Sequence, residues 1–251
     1  MGLFLTRWFK LRDHLTEDFL GGPKLIKFSW SINLQKGGTL FFVLGLMAAF
    51  DVWNATAWTY LALHGSYGII WLLKELIFPD PGWQKKLTVA GALNTWLLAL
   101  GLYWLAPVLM VTQRLEQPPM VLGLATFLYA IGVVLMVGSD AQKYFVLKVR
   151  RGLITDGFFA RTRNPNYLGE MMLYASFAIV AGHWIPWVVL AWVWTGAFLA
   201  NMLRKDASMS RYPEWAAYKA RTGLVFPRLF APAAVPQSQT QPQPAPAPTS
   251  A

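Results

Sequence analysis

Polar residues able to do chemistry crowd into one part of this chain, between positions 138 and 230. Gly138-Ser-Asp140 comes first, followed by Arg151-Gly-Leu-Ile-Thr-Asp-Gly157 and Arg161-Thr-Arg-Asn-Pro-Asn-Tyr-Leu-Gly-Glu170. Beyond an apolar stretch stand Asn201, Arg204-Lys-Asp206, Arg211-Tyr-Pro-Glu-Trp215 and Tyr218-Lys-Ala-Arg221. Arg161, Arg163 and Arg204 carry forked donors of the kind that grip phosphate or carboxylate. Pro165 ends an extended segment, and Asn166 is expected to cap the helix that follows. A helix start adds N–H donors and positive dipole to an anion pocket. Glu170 falls four residues after Asn166, so both side chains share a face, and a carboxylate there suits an amide, amine or ribose hydroxyl. The same residues also suit a loop of lipid-headgroup contacts with a capping motif. Spacing alone leaves both readings open.

The elements that must position these residues are membrane helices. Only 14% of the 251 residues are charged, against about 25% in soluble domains, and 55% are hydrophobic. The chain has thirteen tryptophans, a residue that gathers at membrane interfaces, and its mean hydropathy is +0.38. Apolar runs cover about Thr39–His64, Tyr67–Phe78, Leu87–Thr112, Pro119–Gly138 and Met171–Ala200. A crossing helix needs about 20 apolar residues, which Leu87–Thr112 and Pro119–Gly138 supply outright. Met171–Ala200 is broken by Gly182, His183, Trp184 and Pro186, which reads as two short helices joined by a tight turn. Tyr67–Phe78 is short and interrupted by Lys74 and Glu75, so it must borrow from Trp58–His64. The expectation is an all-α, multi-pass bundle of about six transmembrane helices, five and seven being the neighbouring counts. Asp51 falls inside the first run, where an intramembrane hydrogen bond is the expected role.

Charge sets the orientation. Arg7, Lys10, Arg12, Lys24, Lys27 and Lys36 precede the first run, Lys143 to Arg163 fill the segment after Gly138, and Arg204 to Arg228 follow the last. With Lys85 and Lys86, six crossings put all of them on one side, and the positive-inside rule makes that side cytoplasmic, both termini included. The +10 net charge is then topology and contact with anionic membrane lipids rather than nucleic-acid binding. The first run starts near Thr39 without a small-residue cleavage site, so it is not a signal peptide. Absence of cysteine removes disulfides and thiolate chemistry, and His14, His64 and His183 lack metal-ligand spacing, so no metal is expected. Residues 1–37 read as an amphipathic interfacial segment, 38–230 as the membrane domain, and the uncharged Pro/Gln/Ala tail at 231–251 as disordered. No internal repeat points to a transporter.

Asn166-Tyr-Leu-Gly-Glu170, with Arg163-Asn-Pro before it, resembles the signature of the membrane steroid 5-alpha-reductase and sterol-reductase superfamily. Gly138-Ser-Asp140 upstream, and Arg211-Tyr-Pro with Tyr218-Lys-Ala-Arg-Thr-Gly-Leu-Val-Phe-Pro227 downstream, keep that family's order over about residues 130–230. The Arg-x-Pro-x-Tyr-x-Gly core is also similar to that of isoprenylcysteine carboxyl methyltransferases and phospholipid methyltransferases, whose membrane fold is shared. Gly169-Glu170 follows the reductase pattern. The methyltransferases are expected to carry a paired Glu-Glu after the last span, where this chain has Arg204-Lys-Asp206.

The resemblance implies an NADPH cofactor held by Asp140, Asn166, Tyr167 and Glu170 in a cytoplasmic pocket. Charge and position add Arg161, Arg163 and Arg204 for its phosphates, with Asn201 and Asp206 in the same polar set. Reduction of an enone also needs an acid beside the substrate carbonyl. Trp71-Leu-Leu-Lys-Glu-Leu76 resembles the family's Gln-Glu segment, Lys74 replacing Gln, so Glu75 is the candidate acid and Tyr103 its candidate partner. An interfacial ion pair for Glu75 and helix packing for Tyr103 are the plain alternatives. The expected function is NADPH-dependent reduction of a carbon-carbon double bond in a steroid-like or other lipid that enters from the bilayer. The alternative is S-adenosylmethionine-dependent methyl transfer to a prenylated or phospholipid substrate, and a third reading is a membrane scaffold without activity.

Overall fold

The computed structural model of the chain describes residues 3–230, with side chains from residue 6 onward. The tail at 231–251 lies outside the described residues. Helix α1 (Leu3–Asp13) runs through a π-helical turn, His14–Asp18, towards strand β1 (Lys24–Lys27). α2 (Phe28–Phe50) and α3 (Ala55–Ile77) follow, and then β2 (Lys86–Thr88), which pairs antiparallel with β1. α4 (Val89–Thr95) continues through π and 3-10 turns into α5 (Leu105–Thr112), and α6 (Pro119–Val149) is the longest helix. α7 (Pro165–Ala181) and α8 (Trp184–Val193) form a hairpin, a π turn at Trp194–Leu199 leads into α9 (Ala200–Met209), and α10 (Trp215–Arg221) is the last helix among the described residues. The all-α expectation therefore needs one amendment, the two-stranded ribbon.

Among the described residues, four helical stretches are long and apolar enough to cross a membrane: Phe28–Phe50, Val89–Thr112, Pro119–Val149 and Trp184–Met209. α7, with 17 residues, is shorter, and α3 carries His64, Lys74 and Glu75 along its length. Each of these two packs along a long neighbour, α3 on α2 and α7 on α6. The first span also begins at Phe28, inside the segment read as amphipathic, because Lys36 is drawn into the bundle and does not end the helix. The apolar run Thr39–His64 is two helices. α2 stops where Asp51 turns left-handed (φ 51°), and Asn54 caps α3 by accepting from the Ala57 N–H at 2.9 Å. Asp51 is thus an exposed turn residue just past the end of the first span, bonded to the Trp53 indole N–H at 2.8 Å, and not a mid-helix group. The turn near Gly182 is as the sequence suggests, but the second arm is not short: it runs on from Trp184 to Met209. Gly182 is left-handed (φ 65°), and His183 caps α8. The reversals at 51–54, 113–118 and 182–183 contain one basic residue, Arg114, while the opposite helix ends are rich in Lys and Arg.

Two glycines let helices approach closely where the polar residues sit. A Cβ on Gly169 would lie 2.5 Å from the Met136 N and 2.6 Å from the Gly132 O, so α6 and α7 cross backbone to backbone beside Glu170. A Cβ on Gly68 would collide with the Lys36 carbonyl, so α2 and α3 touch beside Tyr67. Aromatic and aliphatic side chains, among them Tyr60, Tyr67, Met136 and Leu173, fill one continuous core around these crossings. Gly169→Ala should cost about 1–3 kcal/mol through overpacking. Gly123, with nothing within 4 Å of an added Cβ, is the matched control. Thermal unfolding midpoints in detergent check this, and equal midpoints for the two alanine variants would contradict the close crossing.

Candidate active site

Two cavities open among these helices and share a wall. The first, of about 370 Å³, is the more polar of the two, although apolar surface still makes up most of its lining, and it lies between the end of α6, the start of α7, and α9 and α10. Lys74, Asp140, Lys143, Asn166, Lys205 and Asp206 are among its lining. The second, of about 440 Å³, is more apolar and lies under α1, lined by residues such as Leu98, Tyr103, Trp192 and Phe198, with Lys36 at one end. Trp71, Trp83, Tyr167 and Glu170 line both cavities.

Charged groups around the shared wall are paired across helices. Lys74 on α3 meets Asp140 on α6 at 2.9 Å, and Arg163 meets Asp206 on α9 at 3.0 Å. Lys36 on α2 stands 3.7 Å from Glu170 on α7 and donates to the Tyr67 and Tyr174 hydroxyls at 2.5 and 2.8 Å. Tyr67 in turn donates to Glu170 at 3.1 Å. A buried charge without such partners would be strongly destabilising. Arg163 also donates to the Thr222 carbonyl at 2.7 Å, and Tyr218 donates to the Phe159 carbonyl at 2.9 Å. Together they hold α10 as the outer wall of the polar cavity. Burial raises the Tyr218 hydroxyl's pKa above its usual value, so it remains a donor.

Residues 83–224 match a family described as a protein of unknown function, DUF1295. The chain belongs to the DUF1295 family. That family lies within the steroid 5-alpha-reductase-like superfamily, in line with the motif resemblance. Two uncharacterized proteins of Schizosaccharomyces pombe are also similar. One is 33% identical over 93 residues, which is 35% of this chain and 27% of that protein. The other is 34% identical over 89 residues, 32% of this chain and 28% of that protein. The chain thus spans about a quarter of the length of these curated relatives. In this DUF1295 chain the family match takes in Asp140, the Arg163–Glu170 motif and Asp206, while Lys36, Tyr67 and Lys74 lie ahead of it.

The structure gathers Asp140, Arg163, Asn166, Tyr167, Glu170 and Asp206 around the polar cavity. Asn201 and Arg204 line the apolar one instead, where they hold α1: Asn201 accepts from Arg12 at 2.7 Å, and Arg204 meets Asp13 at 2.9 Å. Arg161 is part of neither lining; its carbonyl accepts from the Gly223 and Arg228 N–H groups. Arg163 spends its fork on Asp206 and the Thr222 carbonyl, which makes it a brace for α10 rather than a phosphate clamp. Tyr103 lines the apolar cavity and stacks on Tyr174 at 4.1 Å. Glu75 lines neither cavity and accepts from Gln84 at 2.6 Å, whereas its neighbour Lys74 points into the site. The helix cap also differs. Asn164 is the N-cap and Pro165 the first helical residue, so Asn166 lies within the first turn with its side chain free to face the cavity. Lys36, Tyr67, Lys74, Lys143, Tyr174 and Lys205 are the residues sequence reasoning passed over. Lysines inside or beside apolar runs were the available signal.

The α3–β2 connection closes one side of the polar cavity through Asp80, which meets Lys143 at 2.9 Å. Burial alone raises the Asp80 carboxyl, but Lys143 and the Gly82 N–H outweigh it and hold the carboxyl below its usual range. A carboxyl depressed on folding stabilises the fold above its ordinary value of about 3.9, and that contribution is lost as pH falls through the folded-state value. Asp80→Asn should therefore lower the unfolding midpoint near neutral pH, with the gap to wild type closing below about pH 4. Midpoints measured across this range check it; a gap that persists unchanged in acid would contradict it.

Proposed function

We propose that this DUF1295 protein is a membrane reductase that binds NADPH in the polar cavity and a lipid in the apolar one. Hydride passes to a carbon-carbon double bond where the two meet. The shared wall of Tyr167 and Glu170 is the observation that carries this reading, because a water-soluble dinucleotide and a hydrocarbon body need unlike pockets that touch at one point. The residues present suit the cofactor. Asn166 Oδ1 is buried and has no hydrogen-bond partner among the described residues, and it faces the same cavity as Glu170. An orphan acceptor beside a carboxylate matches the two N–H groups of a nicotinamide carboxamide. Lys143, Lys205 and Arg211 line the same cavity and supply cations for phosphates.

The reduced nicotinamide supplies the hydride when bound. The chain's own groups hold and orient it: Glu170 and Asn166 at the carboxamide, and Lys74–Asp140 as a fixed charge pair beside it. α1 covers the apolar cavity, tied down where Trp8 donates to the Gly196 carbonyl at 3.0 Å, and so keeps water from the reacting atoms. The family resemblance favours a lipid whose double bond is conjugated to a carbonyl. The cavity's basic end belongs in the cytoplasm by the positive-inside rule, where NADPH is made, and the lipid enters sideways from the acyl region.

NADPH at about a hundred times its Kd should stabilise the purified protein by about 2.7 kcal/mol, read as a raised unfolding midpoint. Asn166→Leu should weaken that binding about tenfold, the value of one hydrogen bond, without lowering the midpoint of the free protein. Stabilisation by S-adenosylhomocysteine and none by NADPH would decide for methyl transfer instead.

A further inference from the structure

Glu75 does not reach either cavity, so the reductase reading leaves the acid on the substrate side unassigned. The apolar cavity itself ends on a cation. Lys36 has a side chain 5% exposed, two turns into a membrane-length helix, and it lines that cavity with Tyr103, Tyr174 and Glu170. Its ammonium lies 4.1 Å from the Trp71 ring centroid and 4.3 Å from that of Tyr67. Two of its N–H groups go to the Tyr67 and Tyr174 hydroxyls. Glu170 Oε1 stands 3.7 Å away as its ion-pair partner, so the third N–H lies between Glu170 and any ligand oxygen in the cavity. A methionine or leucine would fill the same space without the desolvation that a buried ammonium entails. The cation sits where the polar atom of a lipid in the apolar cavity would lie beside Glu170 on the wall shared with the polar cavity.

We propose that Lys36 is the catalytic acid: its ammonium faces the substrate's carbonyl oxygen in the apolar cavity and donates the proton that accompanies hydride transfer. This rests on the reductase reading of the two cavities. As hydride from the reduced nicotinamide bonds to the β-carbon, the carbon-carbon π pair moves to the α-carbon–carbonyl bond and the carbonyl π pair moves onto oxygen. A Lys36 N–H bond breaks and an O–H bond forms, leaving a neutral amine and an enol. The enol then leaves the cavity and ketonises at the membrane interface, its α-carbon taking a proton from water as its O–H proton is lost to water, while the Lys36 amine regains its proton from solvent. The products are the saturated carbonyl compound and the oxidised dinucleotide, with one proton consumed. Tyr67 and Tyr174 are positioning residues; Tyr67 bridges Lys36 to Glu170, so the acid and the cofactor wall are tied in one network.

The test uses the full chain in lipid nanodiscs, with NADPH and a long-chain enone, trans-3-hexadecen-2-one, as probes. Wild type is expected to bind NADPH and reduce the enone. Lys36→Met is expected to bind NADPH with Kd raised no more than about tenfold, and to lose turnover about a hundredfold or more. The chain has no cysteine, so Lys36→Cys carries a single thiol, which 2-bromoethylamine converts into an amine of the same reach. That treatment should restore turnover at least about tenfold over the untreated variant, which a merely structural defect would not allow. Lys36→Met turnover within about threefold of wild type, or no gain on aminoethylation of a Lys36→Cys variant that binds NADPH, would overturn the role of Lys36. Wild type that binds NADPH but leaves the enone intact would overturn it too. Wild type that fails to bind NADPH overturns the reductase reading instead, and the assignment with it.

Discussion

A charge inside an apolar bundle persists only where an opposite charge or a donor meets it, and three such meetings organise this protein. Lys36–Glu170 joins α2 to α7, Lys74–Asp140 joins α3 to α6, and Arg163–Asp206 joins the start of α7 to α9. Removing one partner of a buried pair typically costs about 3–5 kcal/mol, because the other is left unpaired, so each pair dictates how its two helices sit. The glycine crossings make this geometry reachable. Without Gly169 the α6 and α7 backbones would stand apart, and without Gly68 α3 could not bring Tyr67 against Lys36. Close packing and charge pairing are therefore one arrangement seen from two sides.

That arrangement puts a polar cavity and an apolar cavity back to back. Glu170 is the pivot, since it faces both and also receives Tyr67 and the Lys36 field. The outer covers are built differently from the pivot. α10 and the residues that follow it are held by side-chain bonds from Arg163, Asn164 and Tyr218, while α1 is held by contacts that include those of Trp8, Arg12 and Asp13. The polar cavity is thereby braced by the chain's C-terminal third and the apolar one by its first helix.

Much of this was legible in the residues. The order Gly138-Ser-Asp140, Arg163 to Glu170 and Arg204-Lys-Asp206 named most of the polar wall, because i,i+4 spacing on α7 and the end of a long apolar helix are local properties. The hairpin at Gly182 was legible for the same reason. What failed was non-local. Lys36 looked like a topology charge, and its burial follows from the α2–α3 contact at Gly68, which no spacing rule reveals. Glu75 and Lys74 are neighbours in sequence, and only the rotation of α3 against α6 decides which one faces Asp140. The role of Arg163 likewise depends on where residues 222–228 return. Counting apolar residues marked the long helices but missed the Asp51–Asn54 turn, because Val52 and Trp53 are themselves apolar.

The central claim, that reducing equivalents cross from the polar to the apolar cavity at Glu170, is tested most directly by isotope tracing. The protein in nanodiscs is incubated with total membrane lipid and NADPH deuterated at the nicotinamide C4 position, and the lipids are then weighed by mass spectrometry. The account predicts a lipid that gains one non-exchangeable deuterium on carbon together with one ordinary proton, and no such product from the Glu170→Ala protein. Lipids that gain no deuterium from NADPH but acquire a labelled methyl group from S-adenosylmethionine would contradict it.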